Sequence, residues 1–462
     1  MYPEHAVRCT FLFVRFPFAL SAVLLTTASL YGQAAPATPQ VGPNLPSATA
    51  TTPPAKPEDV AGIPVNYDES KVGTYTLPDA LKMADGTPVR DVKTWESKRR
   101  PEIVRLFETQ QYGIAPGRPA GESFEVFDKG TPVLNGKAIR KQIVIWLNKE
   151  KTGPHINLVE YLPANKVSAK KRTPMLLSIN FGAPQMAFDD PGIRPVDVWN
   201  PKTGKRETPT RSFGKLNTEI FLDAGIGVAS FYYGDIDPDY PEGLPNGIRA
   251  TNLKSNDDRP GDAWGTIAAW AWGMSRVQDY FETDKDIDAK RVAVHGISRL
   301  GKTALWAGAH DQRFAAVIAS CGGEGGAALS HRNYGETIAH MTAPSRYPYQ
   351  FAKNWAKYAG FPDTAPMDAN LLVALVAPRP LLLQTGNTDF WSDPKGEFLS
   401  AVAAGPVYRL YGKQDLGTET MPAAGVPIFH DLSYEMHNGG HGMVPFDWQV
   451  YVDFLKINLH PE

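Results

Sequence analysis

Arg291-Val-Ala-Val-His-Gly-Ile-Ser-Arg-Leu-Gly-Lys-Thr-Ala-Leu-Trp306 is the stretch on which the fold turns. Its apolar start, Val292-Ala-Val294, has the character of a buried strand, and Thr303-Ala-Leu-Trp-Ala-Gly-Ala309 that of a helix. Between them lies a glycine-flanked turn centred on Ser298. Strand, sharp turn with a central serine, then helix is the nucleophile elbow of an α/β-hydrolase. The glycines answer a crowding problem: the serine sits in a strained turn that lifts its hydroxyl clear of the sheet, and side chains beside it would block that turn. The usual elbow has its second glycine two residues after the serine; here Leu300 holds that place and Gly301 follows. An ordinary strand-to-helix connection is the competing reading.

The same apolar-strand, helix alternation continues on both sides. Strands are expected at 175–181, 227–233, 315–319, 379–384 and 406–410, with helices at 263–282 and 445–459. Apolar strands alternating with helices give a parallel sheet covered on both faces. Upstream, strands at 123–127, 141–147 and 155–162 alternate in polarity and are joined by Gly and Pro turns, after a helix at 95–108. The expected fold class is therefore α/β, an α/β-hydrolase three-layer sandwich whose mostly parallel central sheet is extended by N-terminal antiparallel strands. One catalytic domain is expected over 58–462. Intervals 182–225 and 327–370 are long for simple connections and flank the strand ends where such a sheet binds its ligand.

At the N-terminus Arg8 and Arg15 precede an apolar run, residues 16–25, and then small residues. This reads as a signal peptide over 1–34, too short to span a bilayer, followed by a disordered Ala/Pro/Thr-rich linker over 35–57. A secreted or periplasmic protein is expected. Of the two cysteines, Cys9 falls in the leader, so the mature chain carries Cys321 alone and no internal disulfide. Across 462 residues, 42% are hydrophobic and the net charge is −2, which suits a large core and gives no basic excess for nucleic acid.

A serine hydroxyl needs a base to take its proton and an acid to orient that base. In this fold they follow the serine in the order acid, then histidine. His441, in Asn438-Gly-Gly-His-Gly-Met443 just before the last helix, is the favoured base, with His437 its nearest rival. Asp389, just past the 379–384 strand, is the favoured acid; Glu324 competes, and Asp393 can cap a helix instead. The backbone N–H of Arg299 and its guanidinium are candidates to stabilise an oxyanion. No metal or cofactor is expected, since neither His-Glu-x-x-His nor paired-Cys spacing occurs and a Walker loop is absent.

At Gly296-Ile-Ser-Arg-Leu-Gly-Lys302 the sequence resembles the glucuronoyl esterases, carbohydrate esterase family 15, whose elbow has the form Gly-x-Ser-Arg-x-Gly-Lys. The resemblance continues through Ser320-Cys-Gly-Gly-Glu-Gly-Gly-Ala-Ala328, Tyr334-Gly-Glu-Thr337, Gly386-Asn-Thr-Asp-Phe-Trp391 and Gly439-Gly-His-Gly442, and upstream at 99–103 and 111–113. It implies cleavage of the ester between 4-O-methyl-glucuronic acid on xylan and lignin alcohols. It also implies Ser298 as nucleophile, His441 as base, Arg299 at the oxyanion, Lys302 and Glu336 on sugar hydroxyls, and Trp391 lining the sugar pocket. Fungal members carry their acid where Cys321 stands here. That departure implies the bacterial arrangement, with the acid at Asp389.

The leading reading is a secreted serine esterase acting on glucuronoxylan–lignin esters through an acyl-enzyme. A monomer is expected, with no nucleic-acid partner and no membrane association once the leader is removed. An acetyl-xylan or other carbohydrate esterase on the same fold, and a catalytically inactive carbohydrate-binding protein, are the alternatives.

Overall fold

Val292 and Val294 are fully buried because their strand lies in the middle of a nine-stranded sheet. The computed structural model describes residues 56–461, so the expected leader, Cys9 and all but the end of the expected linker lie outside the described residues. In chain order, helix α1 (Arg100–Gln110) precedes strands β1 (Ser123–Val133), β2 (Ala138–Trp146) and β3 (His155–Pro163). Then come β4 (Thr173–Asn180), β5 (Gly227–Tyr232), α2 (Thr266–Phe281), β6 (Ile287–Ile297), α3 (Arg299–His310) and β7 (Ala316–Ser320). The chain finishes with β8 (Leu381–Gly386), α4 (Pro394–Leu410), β9 (Leu432–His437) and α5 (Pro445–Leu459).

The strand order is β9-β8-β7-β6-β4-β5-β3-β2-β1. The six strands from β9 to β5 are parallel, and β3, β2 and β1 continue the sheet antiparallel. This is the α/β-hydrolase architecture. Side chains alternate across it. Val292 and Val294 join a cluster with Leu305 and Trp306 of α3, while His295 faces Trp448 and Tyr451 of α5. Helices thus cover both faces, which is why the parallel strands read as near-continuous apolar runs.

Two elements differ from expectation. Residues 406–410, read as a strand, are the last part of α4. A short Val-Tyr-containing run cannot be told from a buried helical turn by periodicity alone. Here Phe398, Ala401, Ala404, Gly405 and Tyr408 are buried at helical spacing. The strand next to β8 is instead β9, Leu-Ser-Tyr-Glu-Met-His, whose polar residues hid it; all six residues are buried. In the helix expected at 95–108, a wide π turn at Trp95–Arg99 leads into α1 and accommodates Pro101, which has no N–H to donate.

The two long intervals are built differently. Interval 182–225 holds short helices Pro184–Ala187 and Thr218–Asp223 and a small hairpin, Val198–Asn200 with Lys205–Glu207. Interval 327–370 holds the short helix Ile338–Thr342 and three 3-10 turns.

Candidate active site

Ser298 stands between β6 and α3 with φ 62° and ψ −128°, a backbone conformation that non-glycine residues rarely adopt. The turn is held by Ser298 N–H donating to Ser320 O at 2.9 Å and by Gly301 N–H donating to Ser298 O at 2.8 Å. A Cβ at Gly296 would lie 2.1 Å from Leu300 O, and one at Gly301 would lie 2.3 Å from Ser320 O. The second contact explains the displaced glycine: the close approach to β7 falls at 301, so Leu300 is free to be a buried core residue.

The seven residues singled out in the sequence, Ser298, Arg299, Lys302, Glu336, Asp389, Trp391 and His441, all line one cavity of about 440 Å³. That volume lies within the range of small-molecule sites. His441 sits in the turn after β9, and its Nδ1 is 2.7 Å from Asp389 Oδ2. The Asp389 side chain is 3% exposed and that of His441 40%, so the carboxylate is held below while the ring reaches the cavity. Ser392 Oγ lies 3.4 Å from the same Nδ1. Ser298 and His441 border the same cavity without a hydrogen bond between them; such contacts commonly tighten only when substrate binds.

The rival groups are occupied elsewhere. Glu324 is buried and accepts a 2.6 Å hydrogen bond from Ser330 Oγ. Burial holds its carboxyl well above the usual range, and it does not line the cavity. Asp393 precedes α4 and pairs with Arg332 at 2.8 Å. His437 is buried, its ring nitrogens facing Asp447 and Gly440 O. Cys321 has φ 47° and directs its thiol at Gly442 O, 3.5 Å away. Burial pushes that thiol's pKa well up, so it stays protonated.

Among the described residues, Cys321, Asp389 and His441 bring ligand-type atoms within 4.8 Å of one another. A metal there would compete with the Asp389–His441 hydrogen bond and need the thiol deprotonated, so the trio fits a hydrogen-bonded pair beside a neutral thiol better than an ion site.

Arg299 opens α3, and its guanidinium is clamped by Asp239 and lies 4.5 Å over the Tyr347 ring. Burial disfavours its charge, but Asp239 more than offsets this and raises its pKa. Asp239 also accepts from Gln350 Nε2 at 2.7 Å, Tyr349 OH at 3.0 Å and Tyr233 OH at 3.1 Å. The guanidinium is therefore fixed before any ligand arrives.

One turn further along α3, buried Lys302 donates to Gly322 O at 2.7 Å. Burial lowers its pKa, with Glu336 acting against that shift. Glu336 accepts from Arg346 Nη2 at 2.9 Å, and its N–H donates to Trp391 O at 2.8 Å, tying interval 327–370 to the loop after β8. Arg346 lies over both Tyr347 and Trp391, 4.8 and 5.6 Å from the ring centroids. The cavity thus offers cations, a carboxylate and an indole, groups able to bind sugar hydroxyls and pyranose faces.

Several lining residues have no motif that announces them. Met341, Arg346, Tyr347 and Gln350 come from interval 327–370, and Lys56, Pro57, Val60 and Tyr67 from the segment before α1. Lys56 and Pro57 belong to the expected linker, and the Lys56 ammonium lies 3.6 Å over the Phe390 ring. Burial, followed by nearby Tyr334 and Glu336, pushes the Tyr67 hydroxyl up to about 12. Asp239 had one sequence signal, its acidic run Gly234-Asp-Ile-Asp-Pro-Asp239 directly after β5. Interval 182–225 does not border this cavity.

A sequence model of fungal glucuronyl esterases matches residues 256–412. Carbohydrate esterase MZ0003, from an unknown prokaryotic organism, is 42% identical over 407 residues, covering 85% of this chain and 92% of its own. The solved glucuronoyl esterase of Solibacter usitatus is 40% identical, covers 84% of this chain and 100% of its own, and superposes with a TM-score of 0.79. A CE15 glucuronoyl esterase from Teredinibacter turnerae is 31% identical, with coverages of 86% and 92% and a TM-score of 0.71. With an elbow, a cavity and relatives that agree over most of its length, the chain belongs to the glucuronoyl esterases of carbohydrate esterase family 15 and is a carboxylic ester hydrolase.

Proposed function

We propose that the protein is a serine esterase that cleaves esters joining (4-O-methyl-)glucuronic acid of glucuronoxylan to lignin alcohols, by way of an acyl-enzyme. The observation that carries this reading is the His441–Asp389 hydrogen bond at 2.7 Å, in a cavity also lined by Ser298, Arg299, Lys302, Glu336 and Trp391. Asp389 keeps the His441 proton on Nδ1, leaving Nε2 to act as base. Nε2 takes the Ser298 proton as Oγ attacks the ester carbonyl carbon. The carbonyl oxygen becomes an oxyanion, neutralised by the Arg299 guanidinium that Asp239 holds in place. The intermediate collapses, the C–O bond to the alcohol breaks, and the alcohol leaves with the proton from His441. Water, deprotonated by His441, then attacks the glucuronoyl–Ser298 ester and restores the serine. Lys302 and Glu336 bind sugar hydroxyls, and Trp391 packs on the ring.

The relatives named glucuronoyl esterases support a glucuronoyl ester as substrate, and a plant cell-wall glucuronoxylan is the proposed partner. Export to a secreted or periplasmic location, as a monomer, completes the reading; no helix among the described residues is long and apolar enough to cross a membrane. The test compares benzyl glucuronate with an acetyl ester of a xylo-oligosaccharide, using wild type and Ser298→Ala. Benzyl glucuronate is expected to be much the better substrate, with activity lost in Ser298→Ala. Preference for the acetyl ester would replace this reading with the acetyl-xylan one.

A further inference from the structure

We propose that His437 is the positioning residue for His441: its Nε2–H holds the carbonyl of Gly440, the residue immediately before the base. The inference rests on the reading of His441 as base. Gly439 and Gly440 carry no side chains, so the loop is held through its backbone: Gly439 N–H donates to Asn387 Oδ1 at 3.0 Å and Gly439 O accepts from Thr388 N–H at 2.9 Å, which leaves the Gly440 carbonyl to His437. The loop lies so close to the end of β8 that a Cβ on Gly386 would come 2.3 Å from Gly440 O. His437, the last residue of β9, reaches back over three residues to place Nε2 3.0 Å from that same oxygen.

The other ring nitrogen decides which proton stays. Nδ1 of His437 faces an acceptor, Asp447 Oδ1 at 3.2 Å on α5, and also the Gln384 side-chain amide of β8 at 2.9 Å. Nδ1 therefore has a partner whether it carries a proton or not. Nε2 faces the Gly440 carbonyl, which can only accept, so Nε2 keeps its proton in either charge state. The other carboxylate acting on the ring is Asp389, in the loop after β8, while Glu435, on the same strand as His437, is buried. Burial, followed by nearby Asp447, raises the Glu435 pKa well above the usual carboxylate range.

The grip is anchored to the nucleophile. Gln384 Oε1 accepts from Tyr451 OH at 3.0 Å, and that hydroxyl is 2.6 Å from Ser320 Oγ. Ser320 O in turn accepts from Ser298 N–H at 2.9 Å. With the ring neutral and Nδ1 accepting from Gln384, a buried chain of hydrogen bonds runs across β9, β8 and β7 by way of Tyr451 of α5, joining the backbone beside His441 to the backbone of Ser298; with the ring charged, Nδ1 turns to Asp447 and the Nε2–H grip on Gly440 O remains. The chemical consequence is a fixed spacing between the two reacting side chains, where a displacement near 1 Å is enough to matter.

Two amide substitutions test it. His437→Asn places its side-chain nitrogen near Nδ1 and leaves Gly440 O unbonded, whereas His437→Gln reaches as far as Nε2. Both are compared with His441→Ala on benzyl glucuronate, at matched folded fraction judged from thermal melts. His437→Asn is expected to lower kcat by about 10²-fold with KM nearly unchanged, and His437→Gln to recover most of that loss. Equal kcat losses in the Asn and Gln variants, a wild-type kcat in the Asn variant, or a rise in KM without loss of kcat would each overturn the proposal. An active His441→Ala would instead remove the underlying reading of the base.

Discussion

His437 and His441 stand four residues apart, each beside an aspartate, yet their environments are opposite. The His437 side chain is 2% exposed, with both ring nitrogens engaged. The His441 side chain is 40% exposed, with one nitrogen on Asp389 and the ring at the edge of a cavity. A carboxylate partner is therefore no mark of a catalytic histidine; what separates the two is a nitrogen left free to face substrate. The same contrast holds for their aspartates. Asp447 is buried in the framework, where its Oδ2 also accepts from Val444 N–H at 2.7 Å at the start of α5. Asp389 instead holds the ring of the proposed base at the edge of the cavity.

The largest expected effect that would break this contrast is at Asp389. Asp389→Asn is expected to lower kcat by about 10⁴-fold, the magnitude associated with a triad acid, with little change in melting temperature. Asp447→Asn is expected to do the reverse in kind, destabilising by about 3–5 kcal/mol in denaturant titration as the partner of a buried pair is lost. Stability loss at Asp389 with retained kcat would erase the distinction. Next in size, Arg299→Lys is expected to lower kcat by about 10²–10³-fold, because the fixed guanidinium aimed at the oxyanion is lost.

A smaller effect concerns pH. Burial disfavours the charged His437 ring, but the hydrogen bond to Asp447 more than offsets this, so its pKa is raised in the folded protein. A raised pKa contributes stability in full below the ordinary histidine value of about 6.5 and loses it as pH climbs through the folded value. The stability gap between wild type and His437→Gln is therefore expected to be widest in acid and to narrow above neutrality; a gap that widens with pH would show the ring is neutral when folded. Smallest of all, Glu324→Gln is expected to leave kcat within a few-fold of wild type, because this carboxyl lies outside the cavity, burial raises its pKa well above the usual range, and the amide is an isostere of its neutral form. A loss exceeding that of Asp389→Asn would reverse the choice of acid.

What the sequence made legible shares one physical cause. Gly296, Gly301, Gly440 and Gly442 bracket Ser298 and His441, and backbone constraints of that kind leave a local signature. Apolar β4, β6, β7 and β8 read correctly because helices bury both of their faces. Strand β9 did not, since Glu435 and His437 are buried by pairing that only the tertiary structure supplies. The lining of the cavity was half legible. Lys302, Glu336 and Trp391 lie in short motifs, but Arg346, Tyr347 and Tyr67 reach the cavity from segments whose course depends on long-range packing. Asp239, which clamps Arg299 from 60 residues away in sequence, belongs to the same class.

Covalent labelling with a fluorophosphonate, mapped by peptide mass spectrometry, tests the central claim most directly. Wild type is expected to take one label, on Ser298, in step with the loss of benzyl glucuronate hydrolysis, and His441→Ala is expected to remain unlabelled. A label on another residue, or hydrolysis that persists with Ser298 fully modified, would contradict Ser298 as the nucleophile.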